Sequence, residues 1–209
     1  MYIYFPSCNF TKASPAAAKK IRAYLTERMP AAGCCRVDKT VRAADDTAVY
    51  FCQACREVLE DRLQTLSLWE YLDGDDGFSF PHYDGLRVNV QDCWRDRAHP
   101  EIHAAVRSLL SKMHIEAVEL RASRENADFC GNLHAEPKAP ELRALVAAQD
   151  DKPIWEMPAA LEEAIMREQA EKITERWAVT YCNRCTLGLK TGGAHAVHLL
   201  ELLMDTAKL

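Results

Sequence analysis

Apolar positions along this chain fall into two alternating patterns. Short, nearly unbroken apolar runs read as buried strands: "YIYF" at Tyr2–Phe5, "AVYF" at Ala48–Phe51, "LRVNV" at Leu86–Val90 and "AVTY" at Ala178–Tyr181. Between them lie stretches with apolar residues at helical spacing. "SPAAAKKIRAYLTERM" carries Ile21, Tyr24 and Leu25 on one face, and "HPEIHAAVRSLLSKM" carries Ile102, Val106, Leu109 and Leu110. Each has a proline near its start, where a missing N–H costs nothing. Strands alternating with helices predict right-handed crossovers and a parallel sheet, hence an α/β fold.

The pattern occurs twice. "YIYFPSCNF" corresponds to "LRVNVQDCW", "GCC" at Gly33–Cys35 to "FCG" at Phe129–Gly131, "AVYFCQAC" to "AVTYCNRC", and "LSLWEYL" to "AVHLLELL". The shared order predicts two related lobes, 1–80 and 81–209, each a strand–helix–strand–helix unit with Rossmann-like parallel strands. "DGDDGFSFPHYDG", rich in Gly, Asp and Pro, reads as the joint. The second copy has an insertion of about 135–176, holding "AEPKAPELRALVAAQ" and "MPAALEEAIMREQAEKITERW", both helical in pattern and expected to form a hairpin or lid.

Composition narrows the function. The chain has 209 residues, net charge −5 and no block of Lys or Arg, which argues against nucleic acid and anionic membrane surfaces. No apolar run has the length of a membrane span. "MYIYFPSCNF" has neither the basic region nor the long apolar run of a secretory signal. The nine cysteines are an odd number, so they cannot all pair internally. A cytoplasmic, reducing setting is therefore expected, where clustered cysteines mean metal or redox chemistry.

All nine cysteines belong to the repeat. Cys8, Cys34, Cys35, Cys52 and Cys55 form a C…CC…CxxC set, and Cys93, Cys130, Cys182 and Cys185 a C…C…CxxC set. Cys8, Cys52, Cys93 and Cys182 each follow a strand, so residues distant in sequence would gather at the carboxyl edge of a sheet, where α/β folds collect ligands. A CxxC at a helix start places two sulfurs on one metal or cluster edge, and the free N–H groups there favour thiolate. Four thiolates suit tetrahedral zinc or a [4Fe–4S] cluster; five exceed what zinc needs. His134 is a candidate substitute ligand at the second set, Trp94 a candidate wall, and Asp92 and Arg95 candidate polar neighbours of Cys93. His82, His195 and His198 read as structural or exposed, and Trp69 and Trp177 as core.

The doubled C…CC…CxxC order resembles the cysteine-rich CCG domain of the heterodisulfide reductases, carried by "YFPSC", "GCC", "FCG" and "YCNRC" with its closing "HAVHLLELL". The resemblance implies an iron–sulfur oxidoreductase that cleaves a disulfide. It implies a noncubane [4Fe–4S] cluster on Cys8, Cys34, Cys35, Cys52 and Cys55, with Cys93, Cys130, Cys182 and Cys185 as the second site. There Phe129 replaces the first cysteine of the pair, so that site holds a simpler cluster, zinc or nothing. No GxGxxG is present for a flavin or nicotinamide, so an electron-donating partner protein is expected, together with a small-molecule substrate of disulfide type. Two further readings stand: an electron-transfer or zinc-stabilised interaction module without activity, and a cluster-free dithiol oxidoreductase using Cys52 and Cys55.

Overall fold

In the computed structural model, which describes every residue except Lys39 and Val41, the first apolar run forms strand β1 (Tyr2–Tyr4), followed by helices α1 (Cys8–Ala13) and α2 (Pro15–Thr26). Then come β2 (Thr47–Tyr50), α3 (Gln53–Leu59), β3 (Gln64–Ser67) and α4 (Leu68–Asp73). The second half opens with β4 (Arg87–Gln91), a 3-10 turn (Trp94–Asp96), α5 (Pro100–Lys112) and β5 (Glu116–Glu119). It continues through a 3-10 turn (Arg124–Asn126), α6 (Pro140–Ala147), a third 3-10 turn (Ile154–Glu156) and α7 (Ala159–Ala170). It ends with β6 (Trp177–Thr180), α8 (Asn183–Thr191), β7 (Ala196–His198) and α9 (Leu199–Leu203).

These strands build two parallel sheets, ordered β1-β2-β3 and β5-β4-β6-β7. The fold is α/β, with two lobes of Rossmann-like topology. The central strands are buried on both faces, as parallel sheets require: Ala48, Val49 and Tyr50 in β2, and Val88 through Gln91 in β4. Register runs Ile3–Ala48–Thr65 in one sheet and Val90–Val179–Val197 in the other. Pro15 and Pro100 open α2 and α5. The faces these helices bury contain Ile21 and Leu25 in the first, and Ile102, Val106, Leu109 and Leu110 in the second.

Two strands per copy are expected from the apolar runs, whereas three and four form. β3 and β7 escape the pattern because each runs directly into a helix, so its short alternation merges with the helical one. β5 has a vestigial counterpart in the first lobe. Tyr4 makes a lone parallel bridge with Ala31, through Tyr4 N to Pro30 O at 2.9 Å and Ala32 N to Tyr4 O at 2.8 Å. Pro30 and Gly33 leave that segment poor in donors and stiffness for a longer ladder.

The apolar core does not divide where the sheets do. One cluster takes Val49, Phe51, Trp69 and Leu72 from the first half and Val88, Val106, Leu109 and Leu199 from the second. A smaller cluster on the other face of the first sheet holds Ile3, Phe5, Ala48, Tyr50 and Leu59 together with Cys35 and Cys55. Polar contacts between the lobes follow an approximate two-fold exchange. Asp73 of α4 accepts from Ser108 of α5 at 2.6 Å, and Glu201 of α9 accepts from Ser14, beside α2, at 2.6 Å.

Candidate metal centres

In the second sheet the chain leaves β4 toward β5 on one side and returns to β6 on the other. Cys93 follows β4, and Cys182 is the N-cap of α8 just after β6. In the first sheet the chain leaves β1 toward the Ala31 bridge and returns to β2. Cys8 opens α1, and Cys52 is the N-cap of α3. Both cysteine sets therefore stand at the topological switch point of a parallel sheet, where a crevice forms at the strands' carboxyl ends.

The second set is compact and sealed. The sulfurs of Cys93, Cys130, Cys182 and Cys185 all lie within 4.8 Å of one another. Cys93 and Cys130 are 3.4 Å apart and Cys130 and Cys182 3.9 Å. Among the described residues this is the one group of three or more potential ligands placed to hold a metal ion. Cys93, Cys130 and Cys185 have no exposed surface. Hydrogen bonds from Cys130, Cys185 and Cys93 hold the Cys182 thiol far below its ordinary range. Burial holds Cys93 and Cys185 far above theirs, and the bond to Cys182 raises Cys130. Four soft donors thus converge within reach of one cation.

The shell around this group is built to keep it in place. Tyr181 donates to Asp92 Oδ1 at 3.1 Å and accepts from the Cys93 amide at 3.2 Å. Asp92 pairs with Arg107 through both oxygens, at 2.5 and 2.6 Å, and accepts from the Arg124 amide at 2.8 Å. Burial alone would raise Asp92, but Arg107 and that amide bring it below the usual carboxylate range. Next to Cys130, Gly131 sits at φ +56°, and a Cβ there would meet Arg184 O at 2.3 Å, so the turn requires glycine.

The first set is looser and more open. Cys35 and Cys55 sulfurs are 3.3 Å apart and buried. Cys8 is exposed, and Cys34 and Cys52 are half-buried. Among these five, the Cys35–Cys55 contact is the one sulfur–sulfur hydrogen bond among the described residues, and the set is not gathered as tightly as the second. Asp38 accepts from the Gly33 amide at 3.1 Å and closes the turn that presents Cys34. The Cys52 thiol is pulled down to about 6 by the Cys55 thiol beside it, with Ser7 and the first amides of α3 adding to it. Cys55 is correspondingly pushed up. Cys52 and Cys182 occupy the same repeat position, and both thiols are held below their ordinary range; in the first set so is Cys34, through the Arg36 amide.

The two sets face each other. Cys52 and Cys182 line one small cavity with Ser7, His198, Arg95 and Arg184. Beside it Asp96, fully buried, accepts from Gln53 at 2.7 Å and pairs with Arg56, both from α3 of the other lobe. Arg56 also donates to Arg95 O at 2.7 Å. Burial pushes Asp96 up to about 6, even with Arg56 beside it.

Of the neighbours expected from sequence, Asp92 supports Cys93 through Tyr181, while Arg95 pairs with Glu57 at the surface of the cleft. His134 lies outside the four-thiol group: it stacks on Trp94 at 4.1 Å and reaches Glu136. Trp69 is core, and Trp177 is partly buried and packed against the core. His198 is buried and caps α9, His82 stacks on His114, and His195 packs near Trp177. The sequence reading does not single out Tyr181, Arg107, Gln53, Arg56 or Asp96. Gln53 lies inside the first CxxC, Arg56 directly after it and Tyr181 directly before the second, so position beside a motif could have marked them; Arg107 stands apart from every motif.

No family model, curated protein or solved structure matches the chain. No helix among the described residues is long and apolar enough to cross a membrane.

Proposed function

We propose that the chain is a redox metalloprotein in which the five-thiol group is the reacting site and the four-thiol group a sealed metal site. The reading follows the resemblance to the CCG domain of the heterodisulfide reductases. The observation that carries it is the contrast in access. Cys8 is exposed and Cys34 half-buried, so a substrate sulfur reaches that end, whereas Cys93, Cys130 and Cys185 are closed to solvent.

Five thiols outnumber the ligands of one tetrahedral ion and suit a multi-iron centre. A [4Fe–4S] cluster on Cys8, Cys34, Cys35, Cys52 and Cys55, noncubane if the resemblance extends so far, would supply one-electron reducing chemistry there. The disulfide takes two electrons and two protons and leaves as two thiols, the electrons coming from a partner protein. The chain's own residues set up the site. Cys35 and Cys55 anchor it from the apolar side, and Cys52 supplies a ready thiolate at the start of α3. Arg95, itself paired with Glu57, and Arg184 line the cleft between the lobes beside Cys52 and Cys182.

The four-thiol group fits a single ion. Four sulfurs at 2.3 Å from one zinc stand about 3.8 Å apart, close to the 3.4 and 3.9 Å separations here. A cubane puts each thiolate on a different iron and spreads them further. Zinc, closed on all sides, is the assignment for this site.

Anaerobic purification with iron, zinc and acid-labile sulfide analysis and EPR tests the scheme. The expected protein carries iron and sulfide together with zinc. A Cys34→Ala/Cys35→Ala variant loses the iron and sulfide and keeps the zinc. Zinc without labile sulfide from anaerobic cells sinks the iron–sulfur reading.

A second reading has an observation of its own. Cys52, drawn down to about 6, and Cys55, pushed up, form an unequal pair at a helix start, as dithiol exchange needs. Disulfide-exchange activity in metal-free protein, lost in Cys52→Ser, would establish it in place of the first.

A further inference from the structure

The four thiols of the sealed group are not equally hidden. Cys93, Cys130 and Cys185 have no exposed surface, whereas Cys182 keeps 4% of its own. The difference follows from position. Cys182 stands at the N-cap of α8, at the carboxyl edge of the sheet, while Cys185 lies a turn further in. Cys182 lines the cavity between the lobes together with Cys52, and the other three thiols of its group do not. That cavity measures about 30 Å³, room for a water molecule or two. Ser7, Asn9, Asn183 and Arg184 place hydrogen-bonding side chains around it.

A second thiol stands close behind Cys182. The Cys130 sulfur is 3.9 Å from the Cys182 sulfur, and all four sulfurs lie within 4.8 Å of one another. A sulfur that a small oxidant reaches, backed by another thiol in contact with it, is the arrangement that turns a sulfenic acid into a disulfide. Access sets which oxidant that is. Hydrogen peroxide is little larger than water and matches the cavity, whereas a branched alkyl hydroperoxide does not fit.

We propose that Cys182 is the oxidation point of the sealed group, where hydrogen peroxide entering the shared cavity makes the chain release its zinc; this rests on the zinc assignment above. The Cys182 sulfur attacks one peroxide oxygen, the O–O bond breaks, and the other oxygen leaves as water, giving a sulfenic acid. The Cys130 sulfur then attacks the Cys182 sulfur, the S–O bond breaks, and the second oxygen leaves as water. Two thiols give up two electrons and two protons, and one peroxide becomes two waters. The disulfide takes two of the four donors away, so the group no longer holds a metal until a thiol reductant restores it.

The test exposes the zinc-loaded full chain to hydrogen peroxide and, separately, to tert-butyl hydroperoxide, each rate scaled by that peroxide's rate with a free cysteine peptide. Zinc release is followed with a chromogenic indicator, and the thiols are mapped by mass spectrometry before half of the zinc is free. After scaling, hydrogen peroxide is expected to act about tenfold faster or more. Cys182 is expected to be joined first to Cys130, and dithiothreitol to return the chain to full zinc binding. Equal scaled rates overturn the proposal. So does mapping that finds Cys182 joined first to another thiol, or still free when its neighbours are oxidised. The mapping is read equally well in a chain that purifies without zinc. A lack of zinc therefore counts against the metal assignment alone, and the thiol attacked first still decides whether Cys182 is the point of entry.

Discussion

The two lobes carry the same sheet triplet and place cysteines at the same edge, yet one cysteine group is open and the other closed. The difference lies in what covers the edge. In the second lobe the insertion lays α7 against α8, and Phe129 packs beside the sulfurs where the first lobe has Cys34. In the first lobe nothing comparable among the described residues covers Cys8, and Asp38 holds the flanking turn. Topology therefore decides where the cysteines meet, and the cover decides which group solvent reaches. Metal sites in general divide along the same line, structural ones closed and catalytic ones with an open position.

Cysteine replacement should break the symmetry most. Structural zinc contributes about 10–16 kcal/mol of apparent folding energy in small zinc domains. Cys185→Ala in metal-loaded protein should cost more than about 5 kcal/mol in urea unfolding, a fraction of that scale. Cys34→Ala, at a half-buried position, should cost no more than about 1 kcal/mol. Equal losses would mean that the two sites share one structural role. Zinc affinity should also depend on pH. Cys93, Cys130 and Cys185 are held protonated and must release protons on binding, so affinity rises with pH and is lost as pH falls, by about tenfold per unit for each proton released.

The lobes are tied together by Asp96, and the next largest effect should come there. Asp96→Asn leaves buried Arg56 with only the half-exposed Glu60, 3.7 Å away, as counter-charge, a loss of about 3 kcal/mol. A double replacement, Arg56→Met with Asp96→Leu, removes both charges and should recover most of that loss. If Asp96→Asn costs under about 1 kcal/mol in urea unfolding, the Asp96–Arg56 pair is not what holds the two cysteine groups opposite each other.

The cysteine edges were legible in the sequence because the second apolar run of each copy ends at a cysteine that also starts a helix, as in "AVYFC" and "AVTYC", and a further cysteine follows the first run by a few residues. The α/β class and the pairing of the copies followed from the same runs. The contacts between lobes were not legible. Gln53, Arg56 and Asp96 look like solvent-facing helix residues, and only the opposing lobe buries them. Gly188 is a similar case, since a lone glycine in a helical pattern says little. In the structure a Cβ there would meet Phe129 Cζ at 2.7 Å, Gly131 Cα at 2.8 Å and Met166 Sδ at 2.9 Å. By the CxxC alignment its counterpart in the open lobe is Val58, which is half-buried and packs against the smaller core cluster. Gly188→Val should therefore cost about 3 kcal/mol by overpacking, and Val58→Gly only about 1 kcal/mol of helix propensity. Thermal unfolding of the two variants checks whether the cover of α8 is what the glycine serves.

The last difference lies in how each lobe caps its closing helix. Ser67 opens α4, its Oγ accepting from the Glu70 amide at 3.2 Å while Glu70 reaches back to the Ser67 amide. His198 opens α9 in the same way, its Nδ1 accepting from the Leu200 amide at 3.2 Å and Glu201 reaching back at 3.0 Å. A hydroxyl cap does not titrate in the neutral range, but an imidazole does. Nδ1 accepts only while the ring is neutral, and burial pulls His198 down to about 4. A group whose folded value lies below its unfolded one, near 6.5, contributes stability that is whole above the unfolded value and is lost as pH falls toward the folded one. Between pH 7 and pH 5 this amounts to about 2 kcal/mol from His198 alone. His198→Asn keeps a capping acceptor without the titration, so its urea midpoint should fall less over that interval than the native chain's. Ser67→Ala should lower stability by about 1 kcal/mol at both pH values. If native and His198→Asn proteins lose stability in parallel, the acid sensitivity belongs to other groups, and the two caps differ in shape without differing in consequence.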